Sequence, residues 1–505
     1  MHKTSRPPFL LPTQIAFSVG VLLVSISSTL LAALPEPKRQ PLVRVVDLNI
    51  GETVSVKLAN GKTAQVKLVD VDERRDPFRN AVREARAKVE VNGKGVTLSS
   101  GNYNLPQTIA GVRIDCSITR GCATNSSQDS WGLEKDARLR LWPAASPLMA
   151  RGTFVYPLKQ RWFATHTQMA NEPTYVDGDD RPANKAIYYH NDLDFGGCEG
   201  LAEVVAATDG LVVSAALKGL PGYEDAPAPP RYDVVYVLDD CGWFYRYSHL
   251  LEIDEAIKPG TKVKKGQKLG VLGKEGASGG WSHLHFGIVS KQPSGKWGTQ
   301  EAYAFAWEAY QRQYKPKLIA VARPHQLVAV GEKVTLDGSK SWSARGKIAS
   351  YEWQFNDGAW AEGPIVEHTY KQPGMYSEML RAEDNRGNVA YDFAIVQVID
   401  PAHPDQLPPT IHPAYAPTLG LKPGTEITFK VRTFRTTDGE EKWDFGDGGA
   451  KVSVKSDGNE TPLAKDGYAV TKHAFNKPGL YIVRVERTNT RGERATGCLA
   501  VNVEK

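Results

Sequence analysis

Two histidines that lie one residue apart, His283 and His285, are the first candidates for chemistry in this chain. They follow a glycine-rich turn at 276–280 and have apolar neighbours. If residues 284–288 form a strand, side chains alternate between its faces, so both imidazoles point the same way. Two imidazoles on one strand face suit one metal ion, or one metal ion and the water that reacts beside it.

Three further side chains extend this pair to a set that suits zinc. His190 and Asp194 lie four residues apart, and His249 lies between them and the paired histidines. A catalytic zinc site has three protein ligands of the His and carboxylate type and keeps a fourth position open. His190, Asp194 and one of the paired histidines give that count. The two remaining histidines are then available to transfer protons and to stabilise charge.

The order of these residues resembles a known family. The motifs, in chain order, are His190-x-x-x-Asp194, Tyr247-x-His249-Leu250 and His283-x-His285-Phe286. Together they make residues 185–290 similar to the lysostaphin/LytM-type zinc metallopeptidases, family M23. The resemblance implies one zinc ion (Zn2+) per chain, with His190, Asp194 and His285 as its ligands. It also implies that His249 and His283 are the catalytic residues.

The chain departs from the family pattern at two places. Asp192 stands where the family usually has glycine, two residues after the first histidine. The loop at 278–282 reads Ser-Gly-Gly-Trp-Ser, where the family usually has Ser-Thr-Gly-Pro. That loop shapes the substrate groove in the family. We expect His283 to be the general base and His249 to stabilise the oxyanion, although the sequence also allows the two roles to be exchanged.

The sequence leaves rival interpretations of these residues open. Two histidines and one carboxylate also hold Fe(II) in oxygenases. Those sites typically use His-x-Asp in a jelly roll, and they leave no role for two extra histidines. A non-catalytic envelope protein could use the same fold to bind the cell wall or glycans. Proteins of that kind commonly lose zinc ligands, and this chain keeps them all, which favours an enzyme.

Strands are the elements expected to position the site. Residues 152–314 contain short strand-like runs separated by glycine turns such as Pro259-Gly260, a pattern that predicts an antiparallel sheet domain. Residues 43–145 also alternate, and Asn60-Gly61 between two such runs is a hairpin signal. We expect a small β-rich N-terminal domain there, with one short helix near Pro77 to Ala87.

Two segments after residue 316 repeat each other. The shared motifs are Trp353-x-Phe355-x-Asp357-Gly358 and His368-x-Tyr370-x-x-Pro373-Gly374-x-Tyr376 in the first, and Trp443-x-Phe445-x-Asp447-Gly448 and His473-x-Phe475-x-x-Pro478-Gly479-x-Tyr481 in the second. Both segments, 317–400 and 408–505, resemble PKD domains. The resemblance implies Ig-like β-sandwiches with a spacer or adhesive role. His368 and His473 occupy matching places, so we interpret them as packing residues. The predicted fold class is therefore mainly β throughout.

The N-terminus indicates export. Lys3 and Arg6 precede an apolar run from about Ile15 to Leu34, so we interpret residues 1–34 as a signal peptide or an uncleaved N-terminal membrane anchor. The expected location is the periplasm, the cell envelope or the extracellular space. The expected partner is peptidoglycan or a peptide substrate at the cell surface. A formal charge of +5 over 505 residues is too weak to indicate nucleic acid.

Export makes disulfides plausible for the five cysteines. Cys116 and Cys122 are six residues apart in a loop-like stretch and form our first predicted pair. Cys198 and Cys241 form the second, which leaves Cys498 over. The chain has no Cys-x-x-Cys motif, so a cysteine zinc site is not expected.

Overall fold

The computed structural model describes residues 34–75, 78, 80–101, 103–125, 129–162, 169–170, 173–174 and 188–505. Strands predominate, which confirms the mainly β fold class. Apart from Leu34, the predicted export segment lies outside the described residues. Within the described part of the chain, no helix is long and apolar enough to cross a membrane.

The N-terminal part is built from paired antiparallel strands. Its elements are β1 (Arg44–Leu48), β2 (Thr53–Lys57), β3 (Thr63–Arg75), β4 (Val82–Val91), β5 (Lys94–Ser99), β6 (Gln107–Ile109), β7 (Val112–Thr119), α1 (Arg120–Asn125) and β8 (Ala137–Pro143). One sheet has the strand order β1-β8-β7-β6, and another has the order β2-β3-β4-β5. The predicted hairpin at Asn60-Gly61 joins β2 to β3.

The helix predicted near Pro77 to Ala87 is wrong where the structure describes that segment. Val82 begins β4, which pairs with β3 on one side and β5 on the other. From Ala85 to Val91 buried and exposed residues alternate strictly, the period of a strand with one face on the core. Local alanine, glutamate and arginine content favours a helix, but pairing with neighbouring strands outweighs that preference.

The middle part carries the candidate site. Its elements are β9 (Met169–Ala170), β10 (Pro173–Thr174), β11 (Tyr188–Tyr189), β12 (Leu193–Gly196), β13 (Glu203–Val205), β14 (Gly210–Ala215), β15 (Lys218–Gly219), β16 (Val235–Leu238), β17 (Phe244–Ser248), β18 (Leu250–Ile253), β19 (Lys262–Val263), β20 (Lys268–Leu272), β21 (His283–Lys291), β22 (Trp297–Thr299) and α2 (Tyr303–Tyr314). The central sheet has the order β15-β14-β16-β17-β21-β12-β9, and all these pairings are antiparallel. Strand β21 is thus held between β17 and β12.

One hydrophobic core extends across the boundary that we predicted between residues 145 and 152. Trp142 of β8 and the buried face of α2 belong to the same cluster as the central sheet. Arg140 strengthens this junction, since it donates to both Asp115 and the Glu301 backbone while nearly fully buried. A buried guanidinium needs such partners to offset its loss of hydration.

The C-terminal part consists of two β-sandwich units. The first contains β23 (Leu318–Ile319), β24 (Gln326–Ala329), β25 (Lys333–Asp337), β26 (Trp342–Ser343), β27 (Ile348–Gln354), β28 (Trp360–Glu362), β29 (Ile365–Thr369), β30 (Gly374–Asp384) and β31 (Val389–Ile399). The second contains β32 (Thr410–Ala416), β33 (Ile427–Phe434), β34 (Glu441–Asp444), β35 (Val452–Val454), β36 (Ala469–His473), β37 (Gly479–Thr488) and β38 (Arg494–Val503). A short parallel pairing of β30 with β38 joins the units into one continuous sheet.

The predicted disulfides are wrong, because all five cysteines are free thiols. Cys198 packs against Ala414 and Ala416 of the second sandwich. Cys241 lies instead in the turn after Asp239, whose carboxylate accepts its backbone N–H. Cys116 is buried in the N-terminal core, and burial raises the pKa of its thiol to about 12.

Candidate active site

Strand pairing brings the predicted metal ligands together. Asp194 on β12 lies directly opposite His285 on β21, in an antiparallel pair. His190 precedes β12 and reaches the same point, so its Nε2 lies 3.0 Å from Asp194 Oδ2. These three residues are each at least nine-tenths buried. A single strand pairing therefore brings together residues of β12 and β21 that are about ninety positions apart in the sequence.

The arrangement of donor atoms fits a zinc ion. One ligand atom from each of His190, Asp194 and His285 lies within 4.8 Å of the others. His285 Nδ1 faces Asp194 Oδ1 at 2.9 Å and His190 Nε2 at 3.1 Å. Two imidazole nitrogens and a carboxylate are a donor set that zinc prefers when one position stays open for water. The ligands implied by the family resemblance are thus the ones that converge.

Asp192, the departure noted in the sequence, contacts the outer nitrogen of a predicted ligand. His285 Nε2–H donates to Asp192 Oδ2 at 3.1 Å, which leaves Nδ1 to face the other ligands. Asp192 has a left-handed φ of 76°, and its carboxylate fills the space above Gly287. A Cβ at residue 287 would lie 2.1 Å from Asp192 Oδ2. A carboxylate behind a metal-binding histidine fixes its tautomer and raises its basicity.

His283 is oriented by the loop that precedes it. Its Nδ1–H donates to the Trp281 carbonyl at 3.0 Å, and the Trp281 ring stacks on the imidazole with centroids 3.6 Å apart. Because a carbonyl only accepts, the proton resides on Nδ1. Nε2 then carries the lone pair and lies 3.3 Å from Asp194 Oδ2. This is the arrangement expected of a base beside the metal position.

His249 has the same tautomer, which is set by a different hydrogen-bond partner. Its Nδ1–H donates to the Glu275 carbonyl at 2.6 Å, and Asp233 Oδ2 lies 3.4 Å from the same nitrogen. The residue has φ of 67°, a left-handed conformation that costs energy for a side chain of this kind. Its ring centroid is 4.6 Å from that of His283. Both histidines therefore present Nε2 away from their backbone partners.

Burial and charge set opposite protonation preferences within the cluster. Burial lowers the pKa of His283 well below its usual value, and burial also lowers the pKa of His249. Burial alone would raise the pKa of Asp194, but the neighbouring imidazoles His190 and His283 hold it well below its usual range. A lowered pKa for His283 and His249 beside an ionised Asp194 is what a zinc site with a free base requires.

The second sandwich supplies residues to the site that the sequence did not indicate. His412 belongs to none of the sequence motifs, yet its ring lies edge-on to Trp281 with centroids 5.6 Å apart. Its Nδ1 lies 2.6 Å from the Tyr468 hydroxyl, and that oxygen accepts the backbone N–H of Ser282. These residues are about 130 to 190 positions from the loop they touch, and no spacing rule connects such distant segments.

Residues that the sequence does not implicate in chemistry include Tyr247 and two further histidines. Tyr247, which precedes His249 in its motif, is fully buried, and its hydroxyl accepts the Ala207 N–H, so its side chain packs in the core. His403 pairs with Asp400 near the end of the first sandwich. His166 lies outside the described residues.

Comparison with known proteins assigns the domains. Residues 188–296 match the family model for peptidase family M23. These residues form an M23 domain. Residues 316–398 and 414–501 match PKD domain models, which places a PKD domain in each of the two sandwiches. The M23 match contains every residue of the histidine and aspartate cluster.

Similar proteins share parts of this architecture. Collagenase ColA of Clostridium perfringens is 31% identical over 81 residues, which is 16% of this chain and 7% of the collagenase. The microbial collagenase of Vibrio alginolyticus is 29% identical over 106 residues, 19% of this chain and 13% of that protein. The shared region is the PKD region. A solved structure titled as a putative glycyl-glycine endopeptidase LytM from Ruminococcus gnavus is 22% identical with a TM-score of 0.22, covering 32% of this chain and 61% of its own.

Proposed function

We propose that this protein is an exported zinc metalloendopeptidase that hydrolyses peptide bonds in peptidoglycan cross-links. The observation that carries the proposal is the convergence of His190, Asp194 and His285, with His249 and His283 beside them. A purely structural metal site has no use for two further imidazoles whose Nε2 atoms point away from their backbone partners, as those of His249 and His283 do. A peptidase needs both, one to move a proton and one to stabilise charge.

The proposal gives each of the five residues a role. His190, Asp194 and His285 would hold the ion, which when bound acidifies a water and polarises the scissile carbonyl. His283 takes the water's proton at Nε2, because its Nδ1 is committed to the Trp281 carbonyl. It then passes that proton to the leaving amine. His249 keeps its Nδ1–H on the Glu275 carbonyl, so it donates to the developing oxyanion from Nε2 only after it takes up a proton there from bulk water, and Asp233 beside Nδ1 stabilises the resulting imidazolium.

The substrate assignment draws on the whole chain. The apolar N-terminal run and the PKD domains are features of proteins that work outside the cytoplasm. At the cell surface the abundant cross-linked peptides are those of the wall. A protein substrate at the surface is the second choice. The collagenase likeness does not bear on this assignment, since it is confined to the PKD region.

Digestion of purified peptidoglycan tests the proposal. The zinc-loaded protein is expected to release peptide-linked fragments that mass spectrometry identifies by new amino termini, while the chelated protein releases none. The matched control is His285→Ala, which removes one of the three proposed ligands and leaves the PKD domains unaltered. Binding to the wall without fragment release would contradict the proposal and favour a non-catalytic envelope protein. Cleavage of surface proteins alone would contradict the substrate assignment.

A further inference from the structure

The second PKD domain forms hydrogen bonds with the loop that precedes β21. Arg432 Nη1 donates to the Gly280 carbonyl at 2.6 Å, and Asn459 Nδ2 donates to the Gly279 carbonyl at 3.1 Å. The approach is close, because a Cβ at residue 280 would lie 2.0 Å from Asn459 Oδ1. The glycines of this loop therefore allow the second PKD domain to approach its backbone closely. The contacts at Gly279 and Gly280 fix the backbone that leads into Trp281 and Ser282.

One peptide unit links Tyr468 to His283. The N–H of the Trp281–Ser282 peptide donates to the Tyr468 hydroxyl at 2.8 Å. The C=O of the same peptide accepts the Nδ1–H of His283 at 3.0 Å. A peptide plane is rigid, so fixing its N–H also fixes the direction of its C=O. Hydrogen bonds at both ends of an amide also polarise one another, which strengthens each.

Burial makes the outer bond of this chain hard to replace. Ser282 is fully buried and Tyr468 is 5% exposed, so water is poorly placed to take over the Ser282 N–H. Tyr468 is itself fixed by His412, which lies 2.6 Å from its hydroxyl. A buried N–H that loses its acceptor bears the full cost of desolvation. The peptide would turn to find another partner and carry the Trp281 carbonyl away from His283.

We propose that Tyr468 of the second PKD domain is a positioning residue for the general base His283, acting through the Trp281–Ser282 peptide. This inference rests on the proposed function. It assigns the PKD domain a part in the active centre, beyond the spacer or adhesive role that its fold implies. The hydroxyl group holds His283 in the tautomer and direction that leave Nε2 free for proton transfer.

Tyr468→Phe removes the hydroxyl and keeps the ring. The matched control is Tyr415→Phe, a tyrosine of the same PKD domain that is 2% exposed and donates to the Ala500 carbonyl at 3.0 Å. With wall peptide as substrate, kcat is expected to fall about tenfold for Tyr468→Phe, the value of one lost positioning hydrogen bond. KM and zinc content should stay unchanged, and the control should retain the kcat of the unaltered protein.

A second measurement does not depend on turnover. In protein labelled with 15N-histidine, His283→Gln assigns the His283 signals, and the unaltered protein should show the Nδ1–H tautomer. Tyr468→Phe should show a mixture of tautomers. An unchanged kcat together with an unchanged His283 spectrum would overturn the inference, as would an equal loss of kcat in Tyr415→Phe. If the unaltered protein shows no cleavage, the proposed function itself fails, whereas cleavage with an unaffected Tyr468→Phe refutes only the positioning role.

Discussion

His283 and His285 share one strand face but bind opposite partners through opposite nitrogens. His285 donates from Nε2 to Asp192 and turns Nδ1 toward the other ligands. His283 donates from Nδ1 to Trp281 and turns Nε2 toward Asp194. The two rings therefore have different chemical roles at the same place. Under the proposed function, His285 would hold the ion and His283 would move the proton.

We expect this difference to appear in a pair of alanine variants. His285→Ala should lose zinc, because two remaining ligands hold the ion weakly. His283→Ala should keep zinc and lose about 10²- to 10⁴-fold in kcat, the usual value of a general base. Metal analysis after dialysis and turnover at saturating zinc measure the two effects. A His283→Ala protein that loses zinc would show that the assignments are reversed.

Asp192 is expected to strengthen zinc binding from behind His285. Asp192→Ala removes the carboxylate that fixes the tautomer, and zinc affinity should fall about 10- to 100-fold. Asp192→Asn keeps an acceptor oxygen and should retain most of the affinity. Gly287→Ala should imitate Asp192→Ala, because the new methyl group occupies the position of the carboxylate. Competition with a zinc-binding dye measures all three, and equal affinities would refute this role for Asp192.

At the residue scale, the sequence predicted which residues form the cluster better than it predicted the residues that orient them. Motif order and the family resemblance named the five residues that lie together, whereas residue spacing alone placed only His283 and His285 on one strand face. Asp192 was visible only as a departure from a pattern. Its contact with His285 depends on the pairing of β12 with β21, which residue spacing does not specify.

At the scale of elements, each PKD domain contains the same histidine contact, in which the ring stacks on a phenylalanine and bonds to an aspartate. His368 stacks on Phe355 with centroids 4.0 Å apart and bonds to Asp357 in the turn. In the second domain the same stack and bond recur at His473. The prediction that these histidines are packing residues agrees with these contacts. In each domain this contact links the turn that carries the aspartate to the strand that carries the histidine.

The repeats differ at one buried pair. In the first domain Tyr370 donates to Glu378, and Glu378 is fully buried. The matching positions of the second domain hold Phe475 and Val483, which are apolar. Burial raises the pKa of Glu378 to about 8, although hydrogen bonds from Tyr370 and the Asn356 backbone oppose it. The first domain therefore contains a carboxyl group that the second lacks.

We expect Glu378 to make stability depend on pH. Its folded pKa of about 8 exceeds the ordinary 4.5, so folded protein keeps a proton that unfolded protein has released between these values. The free energy of unfolding should fall as pH rises from about 4.5 to about 8, by at most about 1.4 kcal/mol per pH unit. Glu378→Gln should remove this slope for the first PKD domain in calorimetric scans. Glu352→Gln, on the exposed side of β27, should leave the slope intact, and a slope that persists in Glu378→Gln would contradict the assignment.

Strands and domains were predictable where the sequence contains clear turn residues or a repeat. Asn-Gly turns located the hairpins, and the repeat located both sandwiches. The segment at β4 was assigned to a helix because its composition favours one, and its strand state comes from two flanking partners. The cysteine pairs were wrong because spacing along the chain does not reveal that Cys198 packs on a different domain.

At the scale of the whole molecule, neighbouring parts share cores and sheets. The N-terminal part and the M23 domain share a core through Trp142 and α2. The two PKD domains share a sheet, and Met375 and Ile395 of the first domain enter the core of the second. The second PKD domain in turn contacts the glycine-rich loop before β21 through Arg432. None of these contacts follows from the sequence, because each part alone has the pattern of an independent unit.

A pair of matching glycines tests the joint between the PKD domains. Gly374 and Gly479 occupy the same motif position, at the start of β30 and of β37. Gly374 pairs with Arg494 of β38, and a Cβ there would lie 2.8 Å from the Arg494 carbonyl oxygen. At Gly479 the nearest atom, in the Tyr481 ring, would lie 3.4 Å away, an ordinary contact.

Gly374→Ala should therefore push the shared sheet apart, at a cost of about 1–3 kcal/mol, the usual range for overpacking. Gly479→Ala should be neutral or slightly stabilising, because alanine restricts the unfolded chain at a site with room for its methyl group. Differential scanning calorimetry of both variants measures the contrast as a lower melting temperature for the PKD region in Gly374→Ala alone. Equal shifts in the two variants would mean that the parallel pairing of β30 with β38 contributes nothing to holding the domains together.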